Sequence, residues 1–191
     1  MITPEGSGRV EDCPDREAME RLAVGDDLAL NGIMERWKTR LASYLLRFTG
    51  NESVALDLAE ETFVRLYQTR ARFRPGAAFP TWLFGIAANL ARNHLRWKGR
   101  HPTLSLEVAE SVTSEGDPVQ DAESREREEA VRAAIAALPP DLRETLILSE
   151  YESLPQAEIA AVAGSSVKAV ERRLSRAREI LRKELSRYLN D

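Results

Sequence analysis

Six apolar residues near the C-terminus, Val167, Val170, Leu174, Ala177, Leu181 and Leu185, recur three or four positions apart. That spacing puts them on one side of an α-helix and gives a strand no coherent apolar face. The stretch LPQAEIAAVAGSSVKAVERRLSRAR, Leu154 to Arg178, then reads as a short helix, a turn at Gly164-Ser165-Ser166 and a longer second helix. Gly164 can take the positive φ that ends the first helix, and Ser165 or Ser166 can cap the second. Opposite the apolar stripe lie Lys168, Arg172, Ser175, Arg176 and Glu179, with Arg173 and Arg178 at the flanks. Such a face suits duplex DNA: Lys and Arg reach guanine edges in the major groove, while the flanking cations suit phosphates. Glu171 on the rim repels phosphate but can accept from a cytosine amino group. A solvated amphipathic helix in a bundle is the plainer alternative.

Helical periodicity runs through the rest of the 191 residues, and no stretch alternates like a strand between hairpin turns. The expected fold class is all-α: two small helical domains joined by an acidic flexible linker, the C-terminal one a helix-turn-helix. Helices are predicted over 16–24, stopping at Gly25, and over 29–48, stopping at Gly50. A third, N-capped by Ser53, runs to about Arg70, and Pro75-Gly76 breaks the chain after it. Pro80 and Thr81 start a fourth, reaching about Lys98. Residues 1–14 read as a flexible tail, 15–98 as the first domain, 99–124 as the linker and 125–191 as the second domain. Within the last, helices are predicted over 125–137, 141–150, 154–163 and 166–188, with capping boxes at Asp141/Glu144 and Ser153/Gln156.

The net charge of −4 conceals how charge is placed. From Thr62 to Leu106 there are eight Lys or Arg and no Asp or Glu. Residues 102–124 reverse this, with six acids and no cation, and 166–187 return eight cations against three acids. The basic first stretch also holds Phe73, Phe79, Trp82, Phe84 and Trp97. Aromatics among cations suit a single nucleic-acid strand, since bases stack on rings while Arg and Lys hold phosphates. Against that stands the plainer expectation that Trp82, Phe84 and Trp97 are core, with Leu83, Ile86, Leu90 and Trp97 near one face of the helix. His94 is read as a packing residue rather than a ligand. Asn89, Arg92, Asn93 and Arg96 share another face and have no core role.

One cysteine and two histidines exclude an internal disulfide and argue against any metal site, and no cofactor motif is found. There is no P-loop, no Cys/His pair and no carboxylate cluster on the basic faces, so no enzyme is expected. With no apolar run of membrane-spanning length and no secretory signal pattern, a cytoplasmic protein without membrane insertion is expected.

FxxWLFxIAxNLAxxHLR, preceded by DLAEETFVRLY (Asp57 to Tyr67) and followed by ALPPDLRETLIL and the helix-turn-helix, resembles the bacterial RNA polymerase sigma factors of the extracytoplasmic-function class, two-domain members of the sigma-70 family. The resemblance covers about residues 15–100 and 125–188. It implies that the protein binds core RNA polymerase and directs promoter-specific initiation. The first domain would capture unpaired minus-ten bases, with Phe73 and Arg74 in a loop and Asn89, Arg92, Asn93 and Arg96 on the helix after it. Extruding a base costs a few kcal/mol, which stacking and edge hydrogen bonds offset. The second domain would read the minus-35 duplex through Ser166, Lys168, Glu171, Arg172, Arg173, Ser175, Arg176 and Arg178. Asp57, Leu58, Glu61 and Phe63 match the family's contact with core polymerase, while Leu56 stands where an acid is common and Glu60 where glutamine is usual. An anti-sigma factor is an implied partner. The acidic linker would thread the polymerase cleft or serve as a solubilising tether; composition allows both. The competing functional reading is an autonomous helix-turn-helix regulator, which would bind duplex sites unaided.

Overall fold

The computed structural model describes residues 12–74, 77–101 and 122–188. Among the described residues eight α-helices follow one another: α1 Asp12–Ala23, α2 Ala29–Thr49, α3 Glu52–Thr69, α4 Phe79–Arg100, α5 Ala122–Ala137, α6 Pro140–Glu150, α7 Gln156–Ala163 and α8 Val167–Glu184. Single 3₁₀ turns cover Arg70–Arg72 and Ser186–Tyr188, and the described residues contain no strand. Helices α1–α4 form one unit and α5–α8 a second, as expected of an all-α chain. The acidic stretch 102–121 and the Pro75-Gly76 break lie outside the described residues.

Local chemistry fixes several of the boundaries. Gly50 ends α2 at φ 72°, and Asn51 caps α3, its side chain accepting from the Val54 amide at 2.9 Å. The expected cap, Ser53, lies inside the helix instead, because Asn51 directly follows the left-handed glycine and presents its oxygen first. Gly164 ends α7 at φ 58°, and Ser166 caps α8 by accepting from the Ala169 amide at 3.2 Å, as the turn sequence requires. Both expected capping boxes fail. Pro139 and Pro155 occupy the N-cap positions of α6 and α7 and carry no side-chain oxygen, so neither helix has a side-chain cap. Thr81 does not cap α4, which begins at Phe79 with Pro80 in its first turn.

The first unit packs around aromatic edges. Trp37 meets Phe79 and Phe84 at centroid distances of 5.4 and 6.0 Å, and Tyr44 meets Phe84 at 5.0 Å. Buried Asp15 ties α1 to α2, accepting from the Arg36 Nε at 2.7 Å and the Trp37 Nε1 at 2.8 Å. In α8 the expected stripe is buried at Val170, Leu174 and Ala177, while Leu181 and Leu185 are half-buried and Val167 is 42% exposed. Val167 stands at the first position of the helix.

Candidate nucleic-acid interface

Two exposed cationic faces emerge from this packing. On α8, Lys168, Glu171, Arg172, Ser175 and Arg176 all face solvent. Lys168, Arg172 and Arg176 make no ion pair among the described residues, so their charge is available to a polyanion. The flanking cations are engaged: Arg173 with Asp141 at 3.4 Å and Arg178 with Glu150 at 2.7 Å, both partners on α6. Ser166 is committed to its cap, although its side chain remains at the surface.

On α4 the buried side is Phe79, Pro80, Leu83, Phe84, Ala87, Ala88 and Ala91, which turns Asn89, Asn93 and Arg96 outward. Arg96 Nη2 donates to the Asn93 Oδ1 at 2.5 Å, joining a cation and an amide on one surface. Trp97, expected in the core, is instead 45% exposed, and Ile86, Leu90 and His94 are half-buried. Phe73 goes the other way. It is 6% exposed and packed edge-on to Trp82 and Phe79 at 5.3 and 6.4 Å, so its ring is not presented to a base, whereas Arg74 beside it is exposed.

The second unit lies over part of this face. Helix α7 packs on α4, and between them runs a groove of about 890 Å³ lined by Trp82, Asn89, Asn93, Ala157 and Val162 among others. Polar contacts close the seam. Arg92 Nη1 donates to the Glu144 Oε1 at 2.5 Å, Thr81 Oγ1 to the Glu158 Oε2 at 2.5 Å, and Arg40 to the Glu152 carboxylate at 2.6 Å and its carbonyl at 2.9 Å. Arg143 of α6 donates to the Phe48 carbonyl at 2.9 Å and the Leu138 carbonyl at 3.0 Å, a cation at the C-terminal ends of α2 and α5. Arg92, expected to hold DNA, thus holds a carboxylate in the phosphate's stead. Burial pushes the Glu144 carboxyl above its ordinary value, with the Arg92 charge opposing that rise.

The sequence offered no signal for this seam. Glu144 fitted a capping box, and the partners Arg40 and Glu152, Thr81 and Glu158, and Arg92 and Glu144 stand 52 to 112 positions apart, so only folding brings them within bonding distance.

On α3, Asp57 is exposed, while Glu61 is half-buried and paired with Arg65 at 2.6 Å. Leu58 is half-buried, and Phe63, at 5% exposure, belongs to the core. The surface there is instead Leu56, Glu60 and Val64, one turn apart; Leu56 and Val64 are 51% and 47% exposed. Their four-residue spacing was legible in the sequence, but Leu56 lies only about 20° around the helix from buried Phe63, so spacing alone does not separate the exposed from the buried apolar positions.

Comparison with known proteins agrees with this layout. The sequence model of Sigma-70 region 2 matches residues 33–101, and that of Sigma-70 region 4 matches residues 128–181. The RNA polymerase sigma-H factor of Pseudomonas aeruginosa is 37% identical over 186 residues, covering 93% of this chain and 96% of that one. The ECF RNA polymerase sigma-E factor of Escherichia coli K12 is 35% identical over 180 residues, covering 90% and 94%. Among solved structures, CnrH in complex with the cytosolic domain of CnrY superposes with a TM-score of 0.69 at 28% identity, covering 91% of this chain and 97% of that one.

Proposed function

The chain belongs to the sigma-70 family, in its extracytoplasmic-function class, and from that premise we propose how its surfaces divide the work of starting transcription. As a sigma factor it binds core RNA polymerase and directs promoter-specific initiation. Residues 15–98 serve as the unit that binds core polymerase and opens the minus-ten element, and 125–191 as the unit that reads the minus-35 duplex. Lys168, Glu171, Arg172, Ser175 and Arg176 on α8 face the base edges, with Ser166, Arg173 and Arg178 toward the backbone. Asn89, Arg92, Asn93 and Arg96 on α4, with Arg74 before it, take the displaced strand. The exposed α3 surface of Leu56, Asp57, Glu60, Glu61 and Val64 docks on core polymerase, with Leu58 and Phe63 supporting it from beneath. RNA synthesis is the core enzyme's chemistry, and the protein works in the cytoplasm alongside it; among the described residues no helix is long and apolar enough to cross a membrane.

The observation that carries this reading is the pair of cationic faces, one on each family-matched unit, with amide side chains on the first and a helix-turn-helix under the second. The seam adds a step. With Arg92 on Glu144 and α7 over Asn89 and Asn93, strand capture requires the two units to part. The likeness to CnrH, solved with the cytosolic domain of CnrY, together with the family resemblance, supports an anti-sigma protein as a further partner.

The test is abortive transcription by core polymerase with and without the protein on a genomic promoter library. Initiation that depends on the protein and selects two spaced motifs is expected. Asn89→Ala should impair opening while leaving association with core intact, and Arg176→Ala should weaken the upstream motif alone, by about 1–3 kcal/mol. No dependence on the protein, with specific duplex binding by the protein alone, would sink the proposal.

A further inference from the structure

Asn89, Asn93, Trp97 and His101 follow one another at four-residue steps along α4 and its C-cap, a row that rises about 6 Å and winds about 40° around the helix per step. All four are exposed. Arg92, Arg96 and Arg100 form a second row beside it at the same spacing, and no acid occurs between Thr62 and Leu106. The first row ends on rings. The Trp97 indole is 45% exposed, and the His101 imidazole stacks on it with centroids 5.1 Å apart and planes inclined by 26°. His101 Nδ1 lies 3.0 Å from the Trp97 carbonyl oxygen; since a carbonyl only accepts, Nδ1 carries the proton and pins the imidazole to the helix end.

A large indole left wet at a helix end forgoes the burial that usually justifies it, and this one does not line the groove that α7 makes over Asn89 and Asn93. We propose that Trp97 and His101 form an aromatic step on which one unpaired base of the opened promoter stacks, next along the strand path from the bases that meet Asn89 and Asn93. The inference rests on the reading of α4 as the strand-capturing helix. Arg96 and Arg100 flank the step and hold the phosphates on either side of the stacked nucleotide. Because every base has a π-face, the step adds affinity with little sequence preference. An apolar protein partner would cover the indole equally well, but it has no use for an acid-free double row of cations and amides, whereas a polyanion does.

The test uses holoenzyme assembled from core polymerase and the full chain, bound to fork-junction promoter DNA whose displaced strand is single. Each nucleotide of that strand is replaced in turn by an abasic site, and affinity is measured for wild type, Trp97→Ala, Trp97→Phe and Asn89→Ala. One abasic position is expected to weaken wild-type binding roughly tenfold. Trp97→Ala should lose a similar factor on intact DNA and become indifferent to that position, while Trp97→Phe keeps most of both. If Trp97→Ala binds every fork as wild type does while Asn89→Ala binds weakly, the step is refuted and the strand-capturing helix survives. Uniform weakening by Trp97→Ala with the abasic pattern intact would mark a structural role and equally refute the step. A wild-type holoenzyme that binds the forks no better than core alone overturns both readings.

Discussion

At the scale of single residues, two buried groups, Glu144 in the seam between the units and Tyr44 in the core of the first, sit in environments that make them poor stabilisers. Glu144 is 3% exposed, and its pKa is raised from an ordinary 4.5, chiefly by burial. A carboxyl whose folded-state pKa lies above its unfolded one contributes stability that is complete below the unfolded value and is lost as pH rises through the folded one. At neutral pH its charge therefore works against the closed fold, and Arg92 only partly offsets that. Glu144→Gln, which can still accept from Arg92, should melt higher than wild type at pH 7, and the difference should vanish below about pH 4. Thermal unfolding followed by circular dichroism across that range decides it. Tyr44 is fully buried, its hydroxyl has no hydrogen-bond partner among the described residues, and burial drives its pKa well above the ordinary value. Removing an unsatisfied buried hydroxyl relieves a desolvation cost of about 1–3 kcal/mol. Tyr44→Phe should accordingly be neutral or stabilising by up to about 1 kcal/mol in urea titrations; a loss of that size would mean the hydroxyl is satisfied.

At the scale of elements, caps and breakers explain where helices begin and end, and they also explain where the sequence misled. Ser53 was expected to cap α3, but Asn51, directly after the left-handed Gly50, caps it instead. Asn51→Ala should cost about 1 kcal/mol, whereas Ser53→Ala, exposed inside the first turn, should lie within about 0.5 kcal/mol of wild type. Equal losses in denaturant titration would contradict the cap geometry. The turn before α8 was fully legible, because Gly164 and Ser166 each answer a backbone requirement that few other residues meet. The expected boxes at Asp141 and Ser153 failed for the converse reason: proline, which has no side-chain acceptor, occupies the N-cap position of each helix and displaces the expected residue from it.

For the molecule as a whole, the closed arrangement sets what is accessible. Arg40 donates twice to Glu152, whose side chain is 2% exposed, and lies over the Trp37 ring at 4.8 Å. Removing it leaves a buried carboxylate without its partner, a change that costs about 3–5 kcal/mol in a fully buried pair. Arg40 itself is 39% exposed, so water screens part of the loss. Arg40→Ala should loosen the seam by about 1–3 kcal/mol. Small-angle scattering of the free protein should then show a larger radius of gyration than wild type, and single-strand binding should strengthen as α7 leaves α4. An unchanged radius with unchanged strand affinity would show that other contacts hold the units together.

What the sequence determined by itself was local or cumulative. Helical periodicity dictated an all-α chain, Gly164 and Ser166 dictated the turn of the helix-turn-helix, and the acid-free run dictated a cationic surface, because each depends on neighbours within a few positions or on totals along a segment. What only the tertiary structure decided was who lies beside whom: Phe73 inward and Trp97 outward, Phe63 beneath the α3 surface rather than on it, and Arg92 against Glu144, 52 positions away. The same residue types suit a core, a solvated face or a binding surface, and the choice among them is made by contacts between segments whose separation along the chain hides that they will meet.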